Sequence, residues 1–517
     1  MKKILYVLIF ISIATILTIR TAFASLPGTG WWSAELIQNV DSKTANIQLT
    51  AYDSSSDYEE TISDALDPGE LGVYQPWNFT EMPSGFSGSA IVSSDALIRA
   101  LVQISTRITN QGVGDPDTPQ YAVATYQGTG SPGNKLNFPL VKNDVNGLST
   151  TFYIQNTGAE AATATATFKL GDASDYTYTT PEIAPGKMVI FSASDARDPG
   201  NNPPTSGKFG SLIVTSSVKL AGTVAEHYTS ETHATLLLAT RGFSEGDSDT
   251  KIYAPSIKHS YVGRSSFIYV QNVGSDSISV TVSLRGLQTI SGNPSCVGNN
   301  YDSPTTSVLA GESVSFDAST ILPIDCVASA EIVATGTGEK LIVGQINEFF
   351  TSQYLTDNPT IYQQGTSYST MPSKTATTVI SIPLHKEDSN SKQTGVVLQN
   401  ISDTDATNVV IKFIGKINGV PTIYTSQPRT ISAGSPILLY SVRRYDASFW
   451  NGPAMTPEAL GCVDTESGCG ANGLFGILVT SDQPLVSVAN ESTFPIESPR
   501  IIQDKNQYEG FNLNPAP

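Results

Sequence analysis

One short sequence box recurs four times at domain-sized intervals, and this recurrence is the strongest constraint on the fold. Each copy is a largely apolar run that ends in Gln-Asn, and successive copies lie 117, 116 and 128 residues apart. A domain of about 115 residues buries roughly two-thirds of its unfolded surface, so each repeat can hold its own core. The four dipeptides are Gln38-Asn39, Gln155-Asn156, Gln271-Asn272 and Gln399-Asn400.

The same landmarks follow each box in the same order. A strand-like run comes first, as in Ala162–Leu170, where Ala and Thr alternate in the manner of a half-buried strand. A small turn and a Gly-Ser-x-Ile-Val-(Ser/Thr)-Ser motif follow, the latter degraded to Ala330–Gly336 in the third copy. The turns are Pro68-Gly69, Pro185-Gly186, Ala310-Gly311 and Ala433-Gly434. Short β-branched runs between turns are typical of a Greek-key β-sandwich.

These motifs resemble those of largely uncharacterised secreted bacterial surface proteins with tandem Ig-like β-sandwich repeats. The resemblance covers nearly all of Gly30 to Gly510, and it implies fold and location more than activity. We therefore predict an all-β chain of four tandem Ig-like domains, each folding independently, after an N-terminal signal peptide. The predicted boundaries are 1–24 for the signal peptide, 25–130 for the first repeat, 131–245 for the second, 246–370 for the third and 371–517 for the fourth.

The N-terminus has the three parts of a secretory signal. Lys2 and Lys3 precede the apolar run Ile4–Ile19, and Ala22-Phe23-Ala24 supplies small residues for cleavage. The alternative is an uncleaved anchor, but the run is short of the ~20 residues that span a bilayer. We expect cleavage after Ala24 and an extracellular protein, secreted or associated with the cell surface, without membrane insertion.

The charge balance excludes two classes of partner. The net charge is −18, and removal of the signal with Lys2, Lys3 and Arg20 takes it to −21. Nucleic acids and anionic membranes require basic patches, so we expect neither as a partner.

Cys296, Cys326, Cys462 and Cys469 are the four cysteines, and an even number in an exported chain indicates disulfides. Three pairings are open. We favour Cys296–Cys326 and Cys462–Cys469, because each pair then lies within one repeat. A zinc site at Cys462 and Cys469 is the alternative, but no His lies nearby.

A catalytic site is not evident from the sequence. Glu226, His227 and His233 form a loose cluster, yet Glu226 recurs as Glu348 and Glu491 without a neighbouring His. Recurrence of one residue across repeats favours a scaffold role, such as capping a strand end. No nucleophile, metalloprotease or phosphate-loop motif is present. We therefore predict no enzymatic activity.

The candidate ligand residues are acidic and aromatic. Asp53, Asp57, Glu59 and Glu60 fall in one polar loop, and calcium binds several such oxygens, although a solvated acidic loop is the alternative. We expect no cofactor other than this candidate calcium ion.

Trp31 and Trp32 face opposite sides of a strand, so one of them is a candidate for stacking on a ligand such as a sugar. Packing at the edge of the domain is the alternative.

The repeats differ at their starts. The second to fourth begin with an additional strand, whereas the first has only Ser25–Thr29 in that place. The C-terminal Phe511–Pro517 resembles a truncated version of this strand. Open edges invite strand addition, so head-to-tail self-association is one predicted mode of assembly. The three additional strands are predicted at Leu136–Val141, Lys251–Ile257 and Val379–Leu384.

Three functions are compatible with these features. The first is a non-enzymatic structural, spacer or adhesive element of the cell surface or extracellular matrix, with a surface glycan or protein as partner. The second is an array of glycan- or calcium-binding modules. The third, a secreted hydrolase, requires an inserted catalytic domain, and the repeat pattern shows no such interruption.

Overall fold

The structure is a computed structural model in which antiparallel sheets account for most of the described chain, and this confirms the predicted all-β, sandwich-type fold. The division into four repeats and its boundaries stay a prediction, and the word repeat below refers to these predicted segments. The described residues are 26, 31–108, 120–229, 236–357, 363–389, 392–417, 419–439, 447–455, 473–493 and 505–513. The predicted signal peptide, His233, Cys462 and Cys469 lie outside them. No helix in the described part of the chain is both long and apolar enough to cross a bilayer.

The first repeat contains two sheets, with strand orders β4-β1-β6-β7 and β3-β2-β5. Its strands are β1 (Trp31–Asn39), β2 (Ala45–Asp53), β3 (Glu59–Leu66), β4 (Leu71–Tyr74), β5 (Gly88–Ser94), β6 (Ile98–Ile108) and β7 (Gln120–Gln127).

In the second repeat one long strand belongs to both layers of the sandwich. The first half of β13 pairs with β8 and β10, and its second half pairs with β9 and β14. The strands are β8 (Gly133–Asn143), β9 (Leu148–Asn156), β10 (Ala164–Lys169), β11 (Tyr176–Thr179), β12 (Met188–Ser192), β13 (Lys208–Tyr228) and β14 (Leu237–Arg241).

The third repeat has sheets ordered β18-β17-β21-β15-β24 and β20-β16-β22-β23. Its elements are β15 (Lys251–His259), β16 (Arg264–Asn272), β17 (Ile278–Gln288), β18 (Asn300–Asp302), β19 (Thr306–Val308), β20 (Ser313–Asp317), β21 (Cys326–Thr335), β22 (Ile342–Phe350), the helix α1 (Ser352–Asp357), β23 (Gly365–Ser369) and β24 (Met371–Pro372).

The fourth repeat is again organised by one long strand, β31, which pairs with β25, β26, β27 and β32. The strands are β25 (Thr377–Ser389), β26 (Lys392–Asn400), β27 (Ala406–Ile417), β28 (Val420–Thr425), β29 (Arg429–Ile431), β30 (Pro436–Leu439), β31 (Gly473–Thr493), β32 (Lys505–Glu509) and β33 (Phe511–Asn512). The described residues also form short 3₁₀ helices, which are Pro76–Asn78, Ala193–Asp195, Glu245–Asp247, Ala318–Thr320, Ser373–Thr375 and Ala447–Phe449.

Apolar side chains that alternate along these strands fill the space between the sheets. In the second repeat, Phe152 lies 5.2 Å from Phe138, 5.9 Å from Phe168 and 5.8 Å from Phe191, measured between ring centroids. All four rings are buried. Edge-to-face and stacked aromatic contacts of this kind add about 0.5–1.5 kcal/mol each beyond the burial of area.

Each box ends on a buried asparagine that makes the same side-chain hydrogen bonds. Nδ2 of Asn156 donates to the carbonyls of Glu160 (2.7 Å) and Ile183 (2.8 Å), and Oδ1 accepts from Gly158 N–H (2.8 Å). The side chain thus joins its own strand end to the following loop and to the next connection. The equivalent sets are Asn39 with Lys43, Leu66 and Asp41; Asn272 with Asp276, Val308 and Gly274; and Asn400 with Thr404, Ile431 and Ser402.

The turn glycines dock each repeat on its neighbour. Gly186 has a φ of 78°, and a Cβ placed on it would lie 2.6 Å from the Tyr52 ring of the first repeat. Ser89 Oγ also donates to the Gly186 carbonyl at 2.7 Å. Glycine is therefore required for both the backbone conformation and the close approach. The corresponding pairs are Gly311 with Lys169, Gly434 with Arg285, and Gly69 with Ile414.

These contacts close the four repeats into a ring. Strands β7, β14, β23 and β32 meet in cyclic order, so that β32 of the fourth repeat contacts β7 of the first. Ser381 Oγ donates to Gln38 Oε1 at 2.5 Å, and Lys416 forms an ion pair with Glu70 at 3.1 Å. The first and last repeats are thereby neighbours.

The C-terminal segment lies at this closure. Phe511 of β33 pairs with Ser381 of β25, and the Arg99 guanidinium of the first repeat lies 5.8 Å from the centre of the Phe511 ring. Leu513 packs with Val40 and Val379. The segment thus bridges the two ends of its own chain, and head-to-tail association between chains stays a prediction.

Replacing the asparagine of one box should lower the stability of the fold, because its side-chain hydrogen bonds are lost. Asn156→Asp keeps the size but removes the Nδ2 donor from the buried Ile183 carbonyl and from the carbonyl of the exposed Glu160. We expect the free energy of unfolding to fall by about 1–3 kcal/mol, read as a lower urea midpoint. An equal midpoint for Asn156→Asp and the wild type would contradict this role; Asn134→Asp, on an exposed bond to the Ser216 carbonyl, is the matched control.

Candidate functional site

The recurring glutamates lie near the centre of the ring, each bonded to a lysine from the additional strand. Glu226 on β13 accepts from Lys142 Nζ on β8 at 2.5 Å, and both side chains are less than a tenth exposed. The second carboxylate oxygen of Glu226 accepts from Asn347 Nδ2 of the third repeat at 2.7 Å. The charge is therefore satisfied within the scaffold and also joins two repeats.

The same arrangement recurs in two further repeats. Lys258 contacts Glu348 at 2.6 Å, and Lys386 contacts Glu491 at 2.8 Å. Burial by itself would raise the pKa of Glu491, but Lys386 and Lys392 hold it below its ordinary value. Each lysine follows three residues after a proline in its strand, a signal that the sequence contains and that our sequence reasoning missed.

The first repeat departs from this pattern. Ser33 on β1 faces Ile104, whereas its counterpart Thr150 on β9 faces Glu226. An apolar residue thus replaces the glutamate in the repeat whose described residues include no additional strand.

His227 does not join Glu226 in a common site. The two residues are adjacent on β13 and so face opposite sides of the sheet. His227 Nε2 lies 2.9 Å from Thr151 Oγ1, and Nδ1 lies 2.9 Å from the Tyr228 carbonyl. Burial lowers the pKa of His227, so the neutral ring is favoured.

The four acids of the candidate calcium loop have separate partners. Asp53 accepts from the backbone of Ser55 (2.7 Å), and Asp57 lies 3.5 Å from Lys187. Glu59 lies on β3 opposite Tyr52. The described residues contain no group of three or more His, Cys, Asp or Glu arranged to hold a metal ion, and calcium binding stays a prediction.

Glu60 holds the loop at Thr80 and Glu81 in place through hydrogen bonds. Its carboxylate accepts from Thr80 N–H (2.8 Å), Glu81 N–H (3.0 Å) and the Tyr58 hydroxyl (2.6 Å). The hydrogen bond from Tyr58, followed by those from the backbone, lowers the pKa of Glu60.

The two adjacent tryptophans separate as strand geometry requires. Trp31 packs against the cluster that contains Ala122 and Ala124. Trp32 instead lies 5.7 Å from Trp77, whose side chain is 66% exposed. Trp32 and Trp77 form a tilted aromatic pair at the surface, which we call the tryptophan pair.

One of the two predicted disulfides is formed in the described chain. Cys296 and Cys326 are bonded, with a Cα–Cα distance of 5.6 Å, and both are buried in the third repeat. The bond closes a loop of 30 residues, which stabilises the fold by limiting the unfolded chain. The pairing of Cys462 with Cys469 lies outside the described residues.

Glu35, on β1, is an acid that sequence reasoning did not select. Burial raises its pKa from 4.5 to about 7, opposed by a hydrogen bond from Ser33 Oγ at 3.1 Å. The sequence of β1 gives no sign of this shift, because it arises from burial in the folded protein.

Comparison with known proteins gives no family. No family model matches the chain, and no curated protein matches it. Among solved structures, Thermotoga maritima 1070 aligns at 23% identity over 22% of this chain and 97% of its own, with a TM-score of 0.18.

Two longer alignments are weaker. A glycoside hydrolase family 32 structure from Bifidobacterium adolescentis aligns at 9% identity over 92% of this chain and 98% of its own, with a TM-score of 0.13. A tetra-tandem repeat from a large adhesion protein aligns at 8% identity over 93% and 94%, with a TM-score of 0.09. Scores this low carry no functional argument.

Removing one partner of a central ion pair should destabilise the protein. For Glu226→Ala, we expect a loss of about 3–5 kcal/mol, because Lys142 is left buried without its carboxylate. The double variant Lys142→Met/Glu226→Leu should regain most of the loss in urea unfolding. Asp175→Ala, which breaks an exposed ion pair with Lys169, is the control and should change stability by less than about 1 kcal/mol.

Glu35 should make stability depend on pH. Its folded pKa of about 7 exceeds the ordinary value of 4.5, so the neutral acid is favoured in the folded state. Stability is therefore fully present below pH 4.5 and falls as the pH rises through 7, by at most about 3 kcal/mol. Glu35→Gln should lack this fall, so the melting temperature of the wild type relative to the variant should decrease between pH 4.5 and 7. A difference that stays constant over this pH range would contradict the assignment.

Proposed function

We propose that the protein is an exported, non-enzymatic structural or adhesive element of the cell surface or extracellular matrix, built from four Ig-like repeats. The observation that carries the proposal is the use of the recurring buried charges. Glu226, Glu348 and Glu491 each bind a lysine of the scaffold, which is a structural use of residues that would otherwise be the first catalytic candidates.

Two further features support export. The N-terminus has the composition of a secretory signal, and the buried Cys296–Cys326 disulfide is typical of proteins that fold in an oxidising compartment. The chain has a net negative charge but few charged residues in all, and this composition fits an extracellular protein.

Contact between the first and fourth repeats helps to choose between a spacer and a compact structural or adhesive element. A chain whose ends meet spans little distance, so we favour a compact adhesive or structural element over a spacer.

A glycan ligand is the second candidate, and the tryptophan pair favours it. Exposed aromatic rings offer faces on which sugars stack, and Trp77 is mostly exposed although it is large and apolar.

Fractionation of the native host tests the location. We expect the protein in the culture medium or on the cell surface, with Ser25 as its first residue by N-terminal sequencing. Recovery in the cytoplasm with Met1 or Lys2 as the first residue would overturn the proposal.

A glycan array tests the second candidate. If the tryptophan pair is a sugar site, Trp77→Ala should reduce binding at least tenfold while the melting temperature changes little, because Trp77 is exposed. Phe209→Ala in the second repeat removes another exposed aromatic ring and is the matched control. Equal loss in both variants, or no glycan binding by the wild type, would contradict this ligand.

A further inference from the structure

The first repeat has a strand edge that the other three repeats cover. In those repeats the additional strands β8, β15 and β25 pair with β13, β21 and β31. The counterpart in the first repeat is β5, and within the described residues β5 pairs with β2 alone. Its second edge therefore has no partner strand in the described part of the chain.

The apolar side chains beneath this edge are more exposed to solvent than their counterparts in the second repeat. The strand register makes Ala90 the counterpart of Leu212, and Val92 the counterpart of Val214. Leu212 and Val214 are 0% exposed, whereas Ala90 and Val92 are only partly buried. The missing strand leaves apolar, inward-facing positions partly open.

The opening is one strand wide. In the second repeat, Phe243 bonds through its backbone to the far side of β8, at Asn137 (2.8 and 2.9 Å). In the first repeat, Gly128 N–H bonds to the Ala100 carbonyl at 2.9 Å, as Gly242 N–H bonds to Gly222, and this places Thr129 where Phe243 stands. We call the opening between β5 and Thr129 the slot.

The floor of the slot is formed by small residues. In the second repeat the Phe138 ring packs over Gly222 and Gly242, where added Cβ atoms would lie 2.9 and 2.7 Å from its Cζ. Ala100 and Gly128 hold these places in the first repeat, and the Ala100 Cβ takes part of the space that the Phe138 ring uses, so the floor suits an apolar side chain smaller than Phe.

The backbone of β5 is ready to pair. Asp95 N–H bonds to the Asn46 carbonyl, so in the alternating antiparallel ladder the N–H groups of Ala90 and Val92 point away from β2. The strand Gly88–Ser94 contains no charged residue and no proline, the usual means of blocking an edge.

We propose that the slot binds a single extended strand from a partner protein, with the pattern apolar-x-apolar-Pro, antiparallel to β5. The pattern is taken from the strands that fill the equivalent places in this chain. A slot bordered by backbone on both sides admits one strand and excludes the edge of a second folded copy. The three internal examples are Leu136–Pro139, Ile252–Pro255 and Ile380–Pro383.

Within the described residues, the mature chain does not supply this strand itself. Phe138 lies ten residues before the start of β9 at Leu148, and the residue ten before Trp31 at the start of β1 is Thr21. Thr21 falls in the predicted signal peptide. The inference thus rests on signal removal, and on no other part of the proposed function.

Peptide binding to the mature protein, residues 25–517, tests the inference. The probe is a fluorescein-labelled peptide with the sequence of Thr377–Lys386, whose Ile382 holds the place of Phe138, and binding is followed by fluorescence anisotropy. We expect saturable binding that is at least tenfold weaker when the backbone nitrogen of Ile382 is methylated, because that N–H faces the paired strand. A scrambled peptide should not bind.

A variant pair locates the site on the protein. Val92→Pro removes an N–H from the free edge and leaves the ladder to β2 intact, so it should weaken binding at least tenfold. Ser63→Pro makes the same change on β3, at the opposite edge of the same sheet, and should bind like the wild type. If Val92→Pro does not fold, the methylated peptide on the wild-type protein remains decisive.

Three results would overturn the inference: no saturable binding, equal binding of the methylated peptide, or equal binding by the folded Val92→Pro variant. Sedimentation of the mature protein decides between sources of the strand. A dimer that Val92→Pro converts to a monomer would mean that a second copy fills the slot, against a partner protein. Failure of peptide binding leaves the extracellular role standing, and a cytoplasmic location would leave the peptide result standing.

Discussion

The side chain of the box asparagine is the interaction on which the rest of this structure depends. Removing a hydrogen-bond partner from a buried backbone group costs about 1–3 kcal/mol. Asn156 donates to the carbonyls of Glu160 and Ile183 and fixes the loop that follows, and the equivalent asparagines do the same elsewhere. Because Ile183 lies three residues before the turn glycine Gly186, the bond also helps to place the turn through which each repeat meets its neighbour.

The ring adds a second constraint, because each charged side chain that it buries needs a partner of opposite charge. Lysines on the additional strands meet glutamates on the long central strands, and amides from the next repeat complete the contacts. Buried ion pairs contribute little net stability, since desolvation offsets most of their attraction. They do penalise any arrangement that separates the partners. We therefore assign them the role of fixing how the repeats fit together.

The first repeat lacks one part of this arrangement, and its other residues differ accordingly. Without the additional strand there is no lysine, and Ile104 replaces the glutamate that would have paired with it. The absence of the lysine is thus matched by the absence of the glutamate, so no buried charge is left unpaired there. The backbone edge of β5 has no partner strand among the described residues. The C-terminal segment, which resembled a strand that could cover this edge, instead bridges the fourth repeat to the first.

The sequence by itself determined the all-β fold, the order of strands around each box and the Cys296–Cys326 pair, because alternation, turn residues and cysteine spacing act over short distances along the chain. It also indicated that Glu226 belongs to the scaffold, from recurrence alone. It did not reveal Lys142 as its partner, since the two residues meet only when strands 84 residues apart in the chain come together. Nor did it reveal the raised pKa of Glu35, which depends on burial in the folded protein. Closure of the repeats into a ring was decided only by tertiary structure, because it depends on how Gly69 and its counterparts pack against surfaces more than a hundred residues away in the chain.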